Sequence, residues 1–127
     1  MKARTAVGLG ALIGASLRYL IVNATSVDQI WSTLFVNLVG CFALGLVLVH
    51  GEKYLTALPK LKPVWRPFLA TGLLGGFTTT SAFAVQSMTL LQNGDSVKFL
   101  VLFFLSVIGG LVAFQFAQSI AIKGLNK

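Results

Sequence analysis

Four long apolar stretches, separated by short polar or charged segments, make up most of this chain of 127 residues. No charged residue occurs at positions 29–51, 67–94 or 99–122. A helix that crosses a bilayer needs about 20 apolar residues at a rise of about 1.5 Å per residue. The pattern therefore predicts four membrane-spanning helices, near residues 5–24, 31–50, 66–91 and 98–122.

The length of the uncharged runs predicts an all-α membrane protein. Membrane β-strands alternate apolar and polar side chains over about ten residues, whereas these runs are continuous and longer. The composition agrees, because 56% of the residues are hydrophobic and 10% are charged, against about 45–50% and about 25% in soluble domains. These values exclude an ordinary soluble enzyme. Residues 1–127 are predicted to form one four-span membrane domain.

Basic residues cluster at the ends of the predicted spans. The chain has ten Lys and Arg against three Asp and Glu, a net charge of +7. Basic loops between apolar runs are typical of the cytoplasmic side of a membrane rather than of nucleic-acid binding. With four spans, both termini and the loop between the second and third spans share one side. That side carries Lys2, Arg4, Lys53, Lys60, Lys62, Arg66, Lys123 and Lys127.

Of the two remaining basic residues, Lys98 lies on the opposite side of the predicted membrane, and Arg18 falls inside the first span. The excess of Lys and Arg sets the orientation of a membrane protein. We therefore expect a multi-pass protein of the cell membrane with both termini in the cytoplasm.

The third span has an unusual polar centre. It contains three glycines and then four consecutive hydroxyl residues at positions 78–81. Each glycine inside a helix costs about 1 kcal/mol relative to alanine, so this helix is predicted to break at mid-membrane. Freed backbone groups are tolerated there only if they are buried in protein or line a cavity, where carbonyls can bind a cation and amides an anion. A glycine-rich crossing point between helices is the alternative.

Two polar side chains in the other spans have two interpretations each. Asn37, in the second span, forms an interhelical hydrogen bond or directs its amide donor at a permeating anion. Arg18 extends to the membrane surface or faces a water-filled vestibule that attracts anions. Small residues spaced four apart also predict close helix packing. These pairs are Gly10 and Gly14, Cys41 and Gly45, and Ser106 and Gly110.

The acidic residues exclude several kinds of chemistry. Asp28, Glu52 and Asp95 all lie at span ends or in loops, whereas a proton-coupled cation carrier needs a carboxylate inside the membrane. The sequence also has no nucleophile–base pair, phosphate-binding loop or cluster of metal ligands. We therefore expect a protein that is not an enzyme.

Three segments of the first, second and third spans together resemble a known set of family signatures. Residues 10–19 (GALIGASLRY), 33–40 (TLFVNLVG) and 71–83 (TGLLGGFTTTSAF) resemble the signatures of the Fluc/CrcB fluoride channel family, in order and at matching spans. The resemblance covers essentially the whole chain. It implies an antiparallel dimer with two narrow fluoride pores at the interface. It also implies a structural Na⁺ at the dimer centre, held by the backbone carbonyls of Gly75 and Thr78.

The same resemblance assigns residues to the anion pathway. Asn37 matches the pore asparagine, Arg18 the vestibule arginine and Phe83 the second of two pore phenylalanines. Ser81, Thr80 and Ser106 complete the expected pathway. The chain also departs from the family pattern, because Thr80 replaces the first phenylalanine, and Ala82, Ala84, Gly110 and Phe114 stand where hydroxyl residues are expected. One wall of one pore is therefore expected to be partly eroded.

These observations favour a subunit of a channel that passively exports cytoplasmic fluoride. An eight-to-one bias of basic residues directs almost every copy to insert with its termini inside, so we expect a heterodimer with an oppositely oriented homologous subunit. The alternative is a homodimer, in which some copies insert the other way despite the charges. Two other functions remain open, a small four-helix multidrug-type carrier and a non-transporting membrane assembly subunit.

Overall fold

The computed structural model describes residues 2–24, 26–55 and 57–125. These residues form four helical spans, each long and apolar enough to cross a membrane, so the all-α prediction is confirmed. Helix α1 is Ala3–Ala24, and α2 is Gln29–Leu55. The third span comprises α3, which joins Arg66–Leu74 to Gly75–Phe77, and α4, which is Thr80–Gln92. Helix α5 is Ser96–Leu125.

Helix α2 runs five residues beyond its predicted end. Asp28 caps its start, because the carboxylate accepts a hydrogen bond from Ile30 N at 3.1 Å. The helix continues past His50 as the π-helical turns Gly51–Leu55. The prediction ended the span at residue 50, just before the first charged residue, Glu52, but a helix can continue into the headgroup region, where charged side chains remain hydrated.

The third span is broken, as predicted. Thr78 and Thr79 leave helical geometry and adopt extended conformations, with ψ angles of 159° and 116°. A new helix starts at Thr80, capped by the Thr79 hydroxyl, which accepts a hydrogen bond from Ala82 N at 3.2 Å. The break therefore lies midway along a span of 27 residues.

Glycines bring α1 into backbone contact with α3. A side chain at Gly10 or Gly14 would collide with the α3 backbone, and one at Gly76 would lie 2.6 Å from the Ala11 carbonyl. Because no side chains separate the two helices, the first half of the broken span is fixed against α1. The predicted close packing at Gly10 and Gly14 is thus confirmed.

The second and fourth spans pack along each other through small residues. A side chain at Gly45 would meet Ala117 of α5, and one at Gly110 would lie 3.3 Å from Cys41 Sγ. A small apolar core forms nearby from Leu34, Leu90 and Leu102, of which Leu102 is 1% exposed. Gly40 of α2 faces the methyl group of Thr78, so this helix also approaches the break.

Candidate functional site

The break is held by one amide side chain of α2. Asn37 Oδ1 accepts a hydrogen bond from Thr79 N at 2.8 Å, and Asn37 Nδ2 donates to the Thr79 carbonyl at 3.1 Å. Both polar groups of one extended residue are therefore satisfied by a single side chain. Of the two sequence interpretations, the interhelical hydrogen bond is confirmed. The amide nitrogen carries two hydrogens, and the described residues use only one of them.

Arg18 reaches the same break from α1. Its Nη1 donates to the Thr78 carbonyl at 3.3 Å, and the side chain is half-buried. The guanidinium therefore lies against the break rather than extending to the membrane surface. It also lines a cavity, which agrees with the vestibule interpretation.

Two cavities flank the break and share Thr79. The first has a volume of about 370 Å³ and contains Asn37, Thr80, Phe83 and Ser106 in its wall. The second has a volume of about 480 Å³. Its wall contains Arg18, Ser81, Thr33 and Gln86. The six residues predicted for one anion pathway are thus divided between two cavities that meet at Thr79. Their role in anion passage stays a prediction.

The wall of the first cavity combines an aromatic ring with a hydroxyl that lacks a partner. The Phe83 ring packs against the small core and lies 6.5 Å from the Phe103 ring, measured between centroids. Ser106 Oγ is buried and has no hydrogen-bond partner among the described residues. Burying an unpaired hydroxyl is costly, so this atom is a candidate ligand for a bound polar species.

The second cavity contains two polar residues to which sequence analysis assigned no role. Gln86 Nε2 donates to Thr33 Oγ1 at 2.9 Å and to the Gln29 carbonyl at 3.2 Å. Thr33 is 4% exposed, and Gln86 Oε1 is buried without a partner in the described part of the chain. One signal was present in the sequence, because Thr33 precedes Asn37 by four residues and so shares its helix face.

The carbonyl oxygens of Gly75 and Thr78, which are expected to hold Na⁺, are the type of ligand that a small cation binds. In a continuous helix Thr79 N would bond to the Gly75 carbonyl, but here it bonds to Asn37. The Gly75 carbonyl is therefore released, and Gly75 and Thr78 line the first cavity together. The Thr78 carbonyl accepts from Arg18 and keeps a second lone pair. Two carbonyls do not complete a coordination shell, so a cation at this place would need further ligands.

The side chains that most often bind metals are scattered among the described residues. The described residues contain no set of three or more His, Cys, Asp or Glu that could hold a metal ion. The oxygen atoms that the described residues place at the break belong to backbone carbonyls, threonine hydroxyls and the Asn37 amide. Helix breaks in membrane transporters bind Na⁺ through such carbonyls.

Most of the chain, including the break, matches a known protein family. Residues 5–118 match the family model described as "CrcB-like protein, Camphor Resistance (CrcB)", a range that includes the break and most of each of the four spans. The chain belongs to the CrcB family. The resemblance inferred from the three segments of the first, second and third spans is therefore confirmed.

Several curated relatives of this chain are named as fluoride channels. A protein of Leptospira interrogans named "Fluoride-specific ion channel FluC" is 35% identical to this chain over 126 residues. The matched region covers 96% of this chain and 95% of the length of that protein. Proteins of the same name from Chloroflexus aurantiacus and Methanococcus aeolicus are 43% and 33% identical, covering 85% and 88% of this chain, and 86% and 89% of their own lengths. These relatives are named as channels, so the expectation of a non-enzyme is confirmed. The chain is a multi-pass membrane protein of a channel family.

Proposed function

We propose that this chain is a subunit of a fluoride channel through which cytoplasmic fluoride leaves the cell passively. The observation that carries the proposal is the mid-span break, where Thr79 borders two cavities whose walls contain polar side chains. The surrounding residues 67–94 carry no charge. The name of the CrcB relatives supplies the ion. An inside-negative membrane potential drives an anion outward by about 2.3 kcal/mol per charge per 100 mV, so no coupled energy source is needed.

The proposed pathway replaces the water that fluoride must lose. The free hydrogen of the Asn37 amide and the hydroxyls of Ser81, Thr80 and Ser106 are donors of the kind that water supplies. The edge of the Phe83 ring carries partial positive charge and extends the wall of the first cavity. A narrow passage lined in this way rejects larger anions by size. Arg18 attracts the anion at the second cavity.

A structural Na⁺ at the break belongs to the same proposal. The carbonyls of Gly75 and Thr78 would hold it, together with matching carbonyls of an antiparallel second subunit. Bound there, the ion supplies a fixed positive charge next to the anion pathway. The released Gly75 carbonyl and the opening of both residues into the first cavity support this assignment.

The proposed second subunit is a different chain of the opposite orientation. Eight Lys and Arg lie on the side of the termini, and Lys98 alone lies on the other. Such a bias directs nearly every copy to insert with its termini in the cytoplasm. Two copies of one orientation cannot form an antiparallel pair, which favours a heterodimer. Thr80 and Gly110 then belong mainly to a weakened pore.

Reconstitution tests the channel and its subunit composition together. The purified chain is placed in liposomes alone or with an oppositely biased CrcB-family protein that is itself inactive alone, and fluoride efflux is measured with an electrode. We expect selective efflux only from the mixture. Strong efflux from this chain alone would exclude an obligate heterodimer. Absence of efflux from every mixture, with both proteins shown to be folded and inserted, would contradict the channel assignment.

Thiol labelling tests the orientation. Cys41 is the single native cysteine, so a Cys41→Ser background accepts one new cysteine at either exposed Ala57 or exposed Asn93. A membrane-impermeant maleimide added to intact cells should label Asn93→Cys and spare Ala57→Cys. Equal labelling at both positions would show mixed orientation and remove the main support for a heterodimer.

A further inference from the structure

Most of the basic residues lie at one end of the molecule. Arg66 Nη2 bonds to Glu52 Oε2 at 2.8 Å, so α3 begins beside the end of α2. Lys53 Nζ donates to the Leu125 carbonyl at 3.3 Å, which brings the end of α5 to the same place. Basic residues of three helices therefore meet on a single face of the protein.

Residues 57–65, here named the basic turn segment, close this end between α2 and α3. Its backbone forms consecutive tight turns, in which Leu61 N donates to the Leu58 carbonyl at 3.0 Å and Trp65 N to the Leu61 carbonyl at 2.9 Å. Leu58 and Leu61 are 49% and 41% exposed, whereas Trp65 is buried. Lys60 and Lys62 are also exposed. The segment thus presents apolar and positively charged side chains outward together.

The length of α2 sets the depth of the basic turn segment in a membrane. Its 27 residues extend about 40 Å, about 10 Å more than the hydrocarbon core of a bilayer. The last turns, Gly51–Leu55, and the basic turn segment that follows therefore lie at headgroup level. Exposed Tyr54 agrees with this depth, because tyrosine is enriched at membrane–water interfaces.

The lysines of the basic turn segment lack acidic partners. The ion pairs of the described residues are Arg66 with Glu52 and Lys98 with Asp95, so neither Lys60 nor Lys62 is paired with a carboxylate. Unpaired ammonium groups at headgroup level attract anionic lipids, by about 1 kcal/mol per basic residue. The exposed leucines beside them require an apolar partner, which a soluble anion does not provide.

We propose that the basic turn segment binds an anionic phospholipid. Lys60 and Lys62 hold the phosphodiester headgroup, and Leu58 and Leu61 pack against the upper acyl chains. This surface is independent of the fluoride pathway, because it lies at the end of the spans and away from the break.

Quenching of tryptophan fluorescence by brominated lipid tests the surface. The chain has two tryptophans, and Trp31→Phe leaves Trp65, the last residue of the segment, as the only reporter. The purified full chain in neutral detergent is titrated with phosphatidylglycerol brominated on its acyl chains, and separately with brominated phosphatidylcholine. We expect half-maximal quenching at a much lower concentration of phosphatidylglycerol.

Matched variants assign the effect to the two lysines. Lys60→Gln with Lys62→Gln should raise the half-quenching concentration of phosphatidylglycerol about 30-fold, about fivefold for each lysine. Lys60→Arg with Lys62→Arg should keep the native value. Lys98→Gln removes the same charge from the opposite end and should leave the value unchanged. Circular dichroism verifies that each variant retains its helix content.

Three results would overturn the proposal. Equal quenching by the two lipids would remove the preference for anionic lipid. An unchanged titration in the folded double glutamine variant would move the site elsewhere. Displacement of the lipid by inorganic phosphate at equal concentration would make the surface a free-phosphate site.

Discussion

The amide of Asn37 offers the sharpest test of how the break is stabilised. Asn37→Ala deletes the hydrogen bonds of 2.8 Å and 3.1 Å to the backbone of Thr79. The substitution leaves the half-buried N–H and carbonyl of Thr79 without these partners inside a membrane span. Helical geometry cannot replace the lost bonds, because Thr78 and Thr79 are extended.

The expected destabilisation follows from these two groups. An unsatisfied buried polar group costs about 1–3 kcal/mol, while single hydrogen bonds between membrane helices average about 0.6 kcal/mol and reach about 1.7 kcal/mol. For two bonds to one residue we expect Asn37→Ala to lower the free energy of unfolding by about 2–4 kcal/mol. The loss should be local, with the contacts of α1 and α3 retained.

Reversible unfolding of the purified chain in mixed micelles of mild detergent and dodecyl sulfate measures this loss without a partner subunit. Asn93→Ala is the matched control, because it removes the same side chain from an exposed turn, and it should change stability by less than about 0.5 kcal/mol. If Asn37→Ala also stays within about 0.5 kcal/mol of the native chain, the two hydrogen bonds do not stabilise the break.

Three further outcomes are expected. Asn37→Asp places a like charge in the path of the anion and should abolish or strongly reduce fluoride efflux in the reconstituted mixture; native efflux would leave Asn37 a purely structural role. Gly40→Ala pushes a methyl group against Thr78 and should cost about 1–3 kcal/mol of unfolding free energy, whereas Gly124→Ala, in open space, should cost less than about 0.5 kcal/mol. Replacing NaCl by choline chloride should lower the melting temperature of the assembled channel if the Gly75 and Thr78 carbonyls hold Na⁺, and equal melting temperatures in the two salts would argue against that site.

Long runs with at most one charged residue were sufficient to predict the four spans, because few charged groups can be left in the hydrocarbon interior. The break at Thr78 and Thr79 was also predictable, since consecutive glycines weaken the helix just before a run of hydroxyl residues. The partner of each freed backbone group was not predictable. Whether Asn37 bonds to Thr79 or to an anion depends on the rotation of α2 relative to the third span, and an apolar helix has no strong polar face that would specify this rotation.

The hydrogen bond between Gln86 and Thr33 could not be predicted, for a similar reason. They lie 53 positions apart in the sequence, and each alone is an ordinary polar residue near the end of a span. Their contact exists only because α4 starts afresh at Thr80 and runs beside α2. The direction that a helix takes after a break is set by the tertiary packing of its neighbours.

The glycine contacts between α1 and α3 also constrain how the protein assembles during synthesis. Helix α1 packs through Gly10 and Gly14 against α3, and α2 packs through Gly45 against α5, so each helix pairs with one made after an intervening span. At about 5–20 residues per second, about 50 residues separate the completion of α1 from that of α3, a delay of about 3–10 seconds. During that interval Gly10 and Gly14 of α1 lack their native partner, α3. Assembly is therefore completed only after the last span enters the bilayer, and a truncated chain ending after α2 contains neither native helix pair.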